Sequence, residues 1–320
     1  MFSIVIPLYN KSHTIERTLG SVLHQSFKDY EIIIVNDGST DNSVEVIRGF
    51  TSDPRIRIIE QENGGVSVAR NKGIKEANYE YIAFLDGDDD WAPLYLETIS
   101  KAIEMYPESG MISCAGYYKN EVTKNTKRRV AEKYADQIKV INYFENPHVF
   151  SHTSATVVTR KLCIDLGGFP EGLNKNEDYV LFFSAALVAP TVYCGFPLSY
   201  YYGNVKGQLT TINEKNSYTS EIDVCTRMNI TYKLWHKVGR KNKLFKVFLK
   251  YELRHIMLTA LKARDFKMID VYLSNLEDGV IKLFPFFEFK SYKHDSFVKM
   301  KIFYIYFTKL LWRLHGFPRV

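Results

Sequence analysis

The densest chemistry-bearing stretch of this chain is Asp86-Gly87-Asp88-Asp89-Asp90-Trp91, which follows directly on the apolar run Tyr81-Ile82-Ala83-Phe84-Leu85. Five apolar or aromatic residues suit a buried strand, whereas four carboxylates within five positions repel one another and require a cation or abundant water. Hard carboxylate oxygens at the mouth of a strand suit Mg2+ or Mn2+, ions that take one or two protein carboxylates and complete their shell with water and substrate phosphates. The expectation is a divalent-metal site serving a phosphorylated substrate. The competing expectation is an acidic turn that caps a helix starting near Pro93.

Three other segments carry candidate chemistry. In Val35-Asn36-Asp37-Gly38-Ser39-Thr40-Asp41, Asp37 lies just past an apolar run and Gly38 lets another molecule approach the backbone. Such an acid accepts a hydrogen bond from a base or ribose; alternatively Asp37 holds its own turn and Asp41 caps the next helix. Asn63-Gly64-Gly65-Val66-Ser67-Val68-Ala69-Arg70-Asn71-Lys72-Gly73 joins a glycine turn to a helix bearing Arg70 and Lys72. Amides at a helix start, with cations nearby, favour a diphosphate, although a surface helix with two solvated cations fits the same letters. Glu177 and Asp178 open a strongly apolar helix, where acids stabilise the helix dipole by about 0.3–1 kcal/mol without any catalysis.

The elements that must position these groups alternate strand and helix through about residue 115, with strands expected at 2–6, 30–35, 57–59 and 81–85. Ile15, Leu19, Val22 and Leu23 recur at helical spacing behind Ser12 as an N-cap. In an open sheet built this way the ligand crevice lies beyond the carboxyl ends of the strands, and the polar residues 9–10, 37–39, 63–65 and 86–90 all fall there. A charged stretch within 116–150 reads as an excursion, a hairpin or a lid. A strand at 154–159, a turn at Gly167-Gly168-Phe169-Pro170 and a helix at 178–188 entered through Asn174 and Asn176 follow, and the pattern is mainly helical after 218.

Composition sets the outer bounds. At 320 residues and 46% hydrophobic the chain is globular, with length for one large domain or two. The first 20 residues lack a basic flank before a long apolar stretch, so no export signal is expected. Cys114, Cys163, Cys194 and Cys225 form no C-x-x-C pair, which points away from zinc and toward reduced core thiols in a cytoplasmic protein. No apolar run approaches the roughly 18 residues of a spanning helix. The net charge of +6 hides a basic last third that includes Lys237, Arg240, Lys241, Lys243, Lys246 and Lys250.

Together S-I-V-I-P-L-Y-N, I-I-I-V-N-D-G-S-T-D-N-S, N-G-G-V-S-V-A-R-N-K-G, F-L-D-G-D-D-D-W and N-E-D-Y resemble family 2 glycosyltransferases of the bacterial surface-polysaccharide type, in order and at the family's intervals. The resemblance implies a GT-A fold over residues 1–217, a doubly wound mixed sheet that binds a nucleotide sugar, followed by a helical, basic-aromatic region at 218–320. It implies that Pro7, Tyr9 and Asn10 line the nucleotide pocket, that Asp37 contacts the base, and that Asn63 and Arg70 lie toward the diphosphate. Asp86 and Asp88 match the family's D-x-D, with Asp88 the direct ligand of Mn2+ or Mg2+ and Asp86 nearer the ribose; Asp178 matches the general base, supported by Glu177. Many members carry a late histidine that completes the metal site. Here the comparable stretch is Tyr200-Tyr201-Tyr202-Gly203-Asn204-Val205-Lys206, without the histidine, so the expectation is that Asn204 serves as a weaker metal ligand or that Lys206 meets the diphosphate directly.

The implied activity is an inverting, non-processive transfer of one sugar from a nucleotide-diphosphate donor, a UDP-sugar by family habit, to a hydroxyl of a glycan or lipid-linked glycan. The processive signature Q-x-x-R-W is absent from the sequence. A nucleotidyltransferase would want a glycine-rich basic loop after the first strand, which Pro7-Leu8-Tyr9-Asn10-Lys11-Ser12 does not provide; a noncatalytic sugar-nucleotide or glycan binder is the remaining alternative.

Along 297–314 a 100° turn per residue puts Met300, Phe303, Tyr304, Phe307, Leu310, Leu311 and Leu314 on one side and Lys299, Lys301, Lys309 and Arg313 on the other. Such a helix suits the inner surface of an anionic membrane, or else packs its apolar side on the same chain or a second copy. Nucleic acid is not an expected partner. His148, His152 and His255 are expected to be structural.

Overall fold

The structure is a computed structural model that describes residues 1–150, 152–173, 175–205, 217–285, 292 and 295–314. Four parallel strands form its amino-terminal half: β1 (Phe2–Leu8), β2 (Tyr30–Asp37), β3 (Ile56–Gln61) and β4 (Tyr81–Phe84), in the spatial order β3-β2-β1-β4. The isoleucine and valine runs of β1 and β2 are covered on both faces, as a central parallel strand requires. The crossover helices are α1 (Ile15–Leu23), α2 (Ser43–Phe50) and α3 (Val66–Glu76), with α4 (Tyr95–Met105) after β4. A Cβ at Gly73 would lie 2.3 Å from Val5 Cγ1, so only glycine lets α3 sit this close to β1. Because β2 and β4 lie on opposite sides of β1, strand order reverses beside β1, and the carboxyl ends of β1, β2 and β4 open at that switch point.

The sheet continues through β9 (Thr156–Thr159), antiparallel between β4 and β6 (Met111–Asn120), and then β10 (Thr191–Gly203), parallel to β6. Two residues of the acidic run itself form β5 (Asp90–Trp91) and pair with Tyr200 and Ser199 of β10. The charged stretch after residue 116 is a hairpin, since β6 runs to Asn120 and β7 (Thr126–Arg129) returns along it; β8 (Ile138–Ile141) pairs with β10. Short helices α5 (Pro147–Phe150) and α6 (Arg160–Asp165) precede α7 (Glu177–Val188). Gly167 and Gly168 adopt φ of 83° and 73° in the expected turn, and Asn176 enters α7 at φ 68°; Asn174 lies outside the described residues.

One expected cap differs. Helix α1 begins at Ile15 behind Thr14, not behind Ser12, because a turn intervenes in which Lys11 O accepts from the amides of Thr14 and Ile15, while the Ser12 amide donates to Asp41. The four cysteines are free and buried.

The chain divides into two compact units. One comprises Met1–Tyr143, His148–Leu173 and Glu177–Glu214; the other comprises Phe144–Pro147, Asn174–Asn176 and Lys215–Val320. The second is built from α8 (Ser217–Lys237), α9 (Lys243–Ala263), α10 (Phe266–Asn275), α11 (Asp278–Ile281) and α12 (Asp295–Leu314). Asn242 and Asp265 cap α9 and α10 by accepting from the amides of Phe245 and Met268. Phe245, Phe248, Leu253, Ile269 and Val280 are among its buried core. The terminal helix has the expected period, and most of its aromatic side faces outward: Val298, Lys301 and Ile305 are buried, whereas Met300, Phe303, Phe307 and Leu310 are exposed. Of its lysines, Lys301 is buried and Lys309 meets His255 Nδ1 at 2.9 Å and lies over the Tyr251 ring, whereas Lys299 is exposed.

Candidate active site

The acidic turn after β4 is fixed mostly through its backbone carbonyls. Thr14 Oγ1 donates to Gly87 O at 2.8 Å, Arg17 to Asp88 O at 2.5 Å and Thr18 Oγ1 to Asp89 O at 2.7 Å, so the N-cap and first turn of α1 hold the acidic turn from one side. With the carbonyls satisfied, the carboxylates are left to find separate partners. Asp88 accepts from Lys11 Nζ at 2.5 Å, and Asp90 accepts from Tyr202 Oη at 2.7 Å with Arg17 Nε 3.5 Å away. Asp89 is fully buried; Ser154 Oγ donates to it at 2.5 Å, the Tyr202 amide at 3.1 Å, and His152 Nε2 lies 3.5 Å off. Burial pushes the Asp89 carboxyl up to about 6, against the pull of His152. Ser154 Oγ also accepts from the Asp86 amide at 3.1 Å, so the Asp89–Ser154 pair sets the backbone from which Asp86 projects.

Asp86, the one partly open carboxylate at the head of the turn, meets Arg70 of α3 at 2.7 Å. The same guanidinium reaches Glu177 Oε1 at 2.9 Å. Arg70 is itself buried; loss of water alone would lower it, and Asp86 and Glu177 outweigh that and hold it charged well above its ordinary value. One arginine therefore joins the end of β4 to the first turn of α7, across 91 residues of sequence between Asp86 and Glu177. Glu177 is pushed up to about 6, first by burial and then by Asp178 beside it. Asp178 is raised by burial, an effect opposed by Arg70 and reinforced by Asp86; its oxygens accept from Thr153 Oγ1 at 3.3 Å and from the Tyr179 amide at 2.7 Å. Two carboxyls with raised affinity for protons next to two bound to cations are the kind of environment that supports general-base chemistry.

The remaining sequence-expected residues fall as follows. Pro7 is half-buried near the end of β1, Tyr9 is exposed, and Asn10 adopts φ 52° with its side-chain oxygen accepting from the Thr40 and Asp41 amides. Asp37 does not stand open to a base. It is 2% exposed, and its carboxylate accepts from Gln61 Nε2 at 2.7 Å and from the Gly64 and Gly65 amides at 2.8 Å, so it ties the loop after β3 to the end of β2. Asn63 in that loop donates to Asp37 O at 2.9 Å. Arg70 is committed to carboxylates and is not a free cation at the mouth, and Lys72 pairs with Glu76 at 3.3 Å on the surface. Asn204 follows β10, exposed, at φ 63°; Lys206 lies outside the described residues.

Lys11, Arg17, Asp89, His152 and Ser154 were not among the expected site residues. Lys11 had a signal, since it directly follows the Tyr9-Asn10 pair at the end of β1. Ser154 and His152 had none, because nothing local distinguishes them from other strand-edge residues.

A model of the family described as "Glycosyl transferase family 2" matches residues 3–165. The chain belongs to that family. The "Uncharacterized glycosyltransferase EpsJ" of Bacillus subtilis is 40% identical over 127 residues, 39% of this chain and 36% of that protein. "Poly-beta-1,6-N-acetyl-D-glucosamine synthase" of Staphylococcus epidermidis is 44% identical over 98 residues, 29% of this chain and 24% of that protein. The matches thus span about a third or less of these curated relatives' own length. Among solved structures, S. aureus TarS 1-349 in complex with UDP-GlcNAc superposes with a TM-score of 0.64 at 18% identity, over 98% of this chain and 92% of that one, which shows a shared GT-A-like fold.

Proposed function

We propose that this family 2 glycosyltransferase moves one sugar per encounter from a UDP-sugar to a hydroxyl of a glycan or lipid-linked glycan in surface-polysaccharide assembly, with inversion at the anomeric carbon. The observation that carries the proposal is the Arg70 bridge, which joins the acid turn after β4 to the acid pair that opens α7. The relatives named above bear on the donor and product class: one is a synthase of an N-acetylglucosamine polymer, and the structural neighbour was solved with UDP-GlcNAc.

In this reading Asp178 takes the proton of the acceptor hydroxyl as its oxygen attacks the anomeric carbon, while the bond from that carbon to the diphosphate breaks on the opposite face. Glu177, held by Arg70, keeps a second carboxyl beside the base, while burial and Asp86 raise the affinity of Asp178 for the proton it must accept. Tyr9, Asn10 and Asn63 border the mouth where a nucleotide would enter. Among the described residues no three histidines, cysteines or acids converge on one point. Asp88 and Asp86 have the hard oxygens for Mn2+ or Mg2+, and Asn204 and Lys206 are the late residues that the sequence offers in place of the family's histidine. Such an ion would neutralise charge developing on the departing diphosphate. The working place we assign is the cytoplasmic face of a membrane.

A thermal-shift panel of UDP-, GDP-, CDP- and dTDP-sugars with Mn2+ tests the donor. A UDP-sugar at about 100 times its Kd should stabilise the fold by about 2.7 kcal/mol, and Asp88→Ala should remove the Mn2+-dependent part. A larger shift with a guanine or cytosine donor would refute the UDP assignment. Stabilisation by a UDP-sugar without any donor turnover would favour a noncatalytic binder.

A further inference from the structure

Charge is distributed very unevenly along this chain. Residues 1–214 hold 21 Lys and Arg against 27 Asp and Glu, whereas residues 215–320 hold 21 against 9, a net +12 in the last third. Exposed lysines at 237, 241, 243 and 246 present part of that charge to solvent. The terminal helix of the same unit, α12 (Asp295–Leu314), buries Val298, Lys301 and Ile305 and turns a different stripe outward. That stripe is Met300, Phe303, Tyr306, Phe307 and Leu310, with Phe303 73% and Phe307 50% exposed. It runs for about 15 Å along the helix at 1.5 Å per residue, one side chain beside or above the next.

Cations lie along the stripe. Lys262 Nζ sits 4.8 Å from the centre of the Tyr306 ring, and exposed Lys299 adjoins Met300. No helix among the described residues is long and apolar enough to cross a membrane, so this helix is suited to lying along an interface. A stripe of phenylalanine, leucine, methionine and tyrosine bordered by lysines matches the boundary between acyl chains and anionic headgroups, where apolar burial and phosphate attraction add. A second copy of the chain would instead bring another unit of net +12 against the first, and like charges oppose that pairing.

We propose that α12 is a docking surface for an anionic lipid bilayer, with Phe303 and Phe307 entering the interface and Lys262 and Lys299 meeting lipid phosphates. This deepens the reading of a glycosyltransferase at the membrane only as to the surface used, and the two stand or fall separately. The test is co-sedimentation of the full chain with vesicles of phosphatidylcholine containing 30% phosphatidylglycerol and with vesicles of phosphatidylcholine alone, for the wild type and for Phe303→Ser/Phe307→Ser. The expected result is wild-type binding to the anionic vesicles that weakens with added salt, at least tenfold weaker binding to neutral vesicles, and at least tenfold weaker anionic binding by the double variant.

Analytical ultracentrifugation of both proteins without lipid accompanies it, and the wild type is expected to sediment as the same species as the variant. UDP binding measured in parallel should be alike in the two proteins, which separates loss of docking from damage to the fold. Equal vesicle binding by the variant and the wild type would overturn the proposal. So would a wild-type oligomer that the two substitutions dissociate, with no preference for anionic vesicles, because the stripe would then be a contact between copies.

Discussion

The acid-bearing edge of the sheet and the terminal helix α12 treat side chains in opposite ways. At the sheet edge, charged groups are turned inward and matched: Asp88 with Lys11, Asp90 with Tyr202 and Arg17, and Asp86 and Glu177 with one arginine. On α12, apolar groups are turned outward, and a lysine, Lys301, is buried. Burial of charge is costly unless each group is paired, so the sheet edge holds a definite geometry that a reaction needs. Exposure of aromatics is unfavourable unless something else covers them, so α12 points to contact with another phase. Matched burial of charge is the property of the first region and exposure of apolar rings the property of the second.

The largest effect that would break this contrast comes from Arg70. Arg70→Met leaves Asp86 and Glu177 without their shared cation, and removal of one partner from a buried pair costs about 3–5 kcal/mol. Urea unfolding should show that loss, and a change under about 1 kcal/mol would mean that the bridge does not hold the site together.

A smaller effect is read through pH. Glu177 has a folded affinity for protons raised from 4.5 to about 6, so the folded state holds the proton more tightly than the unfolded chain. The stability this contributes is complete below about pH 4.5 and is lost as pH rises through about 6. Relative to Glu177→Gln, which cannot ionise, the wild type should lose on the order of 2 kcal/mol between pH 4 and pH 7. A relative gain over that interval would reverse the sign and contradict the burial argument.

The smallest effect belongs to α12. Phe303→Ser/Phe307→Ser should change unfolding stability by no more than about 0.5 kcal/mol per site, because the rings are exposed in the folded chain. A loss of several kcal/mol would show that they are covered by protein.

Much of the sheet edge was legible in the sequence because its information is local. Apolar runs ending in Tyr9-Asn10, Asp37 and Asp86 identify strands and the end at which a ligand binds, and the structure puts all three at the carboxyl ends of β1, β2 and β4. The partners were not legible, since they come from distant sequence: Lys11 for Asp88 lies 77 residues away, and Glu177 for Arg70 lies 107 away. Asp37 shows why the type of a residue underdetermines its job. An acid after a strand can greet a ligand or receive loop amides, and only the structure shows that the Gly64 and Gly65 amides donate to Asp37. On α12 the period was legible and the packed side was not. Hydropathy leaves open whether the aromatic side meets another phase or protein; in the structure most of that side faces outward, Lys309 meets His255 and the Tyr251 ring, and Tyr304 of α12 itself accepts from Arg254.

The central claim is that Asp178 acts as the base in the same site that Asp86 and Asp88 open to the donor. It is tested most directly by Asp178→Asn, measuring single-turnover sugar transfer and UDP-sugar affinity on the same preparation. The account predicts transfer slowed by about 10²–10⁴-fold, with the Kd for donor within roughly threefold of wild type. Transfer at the wild-type rate would contradict it.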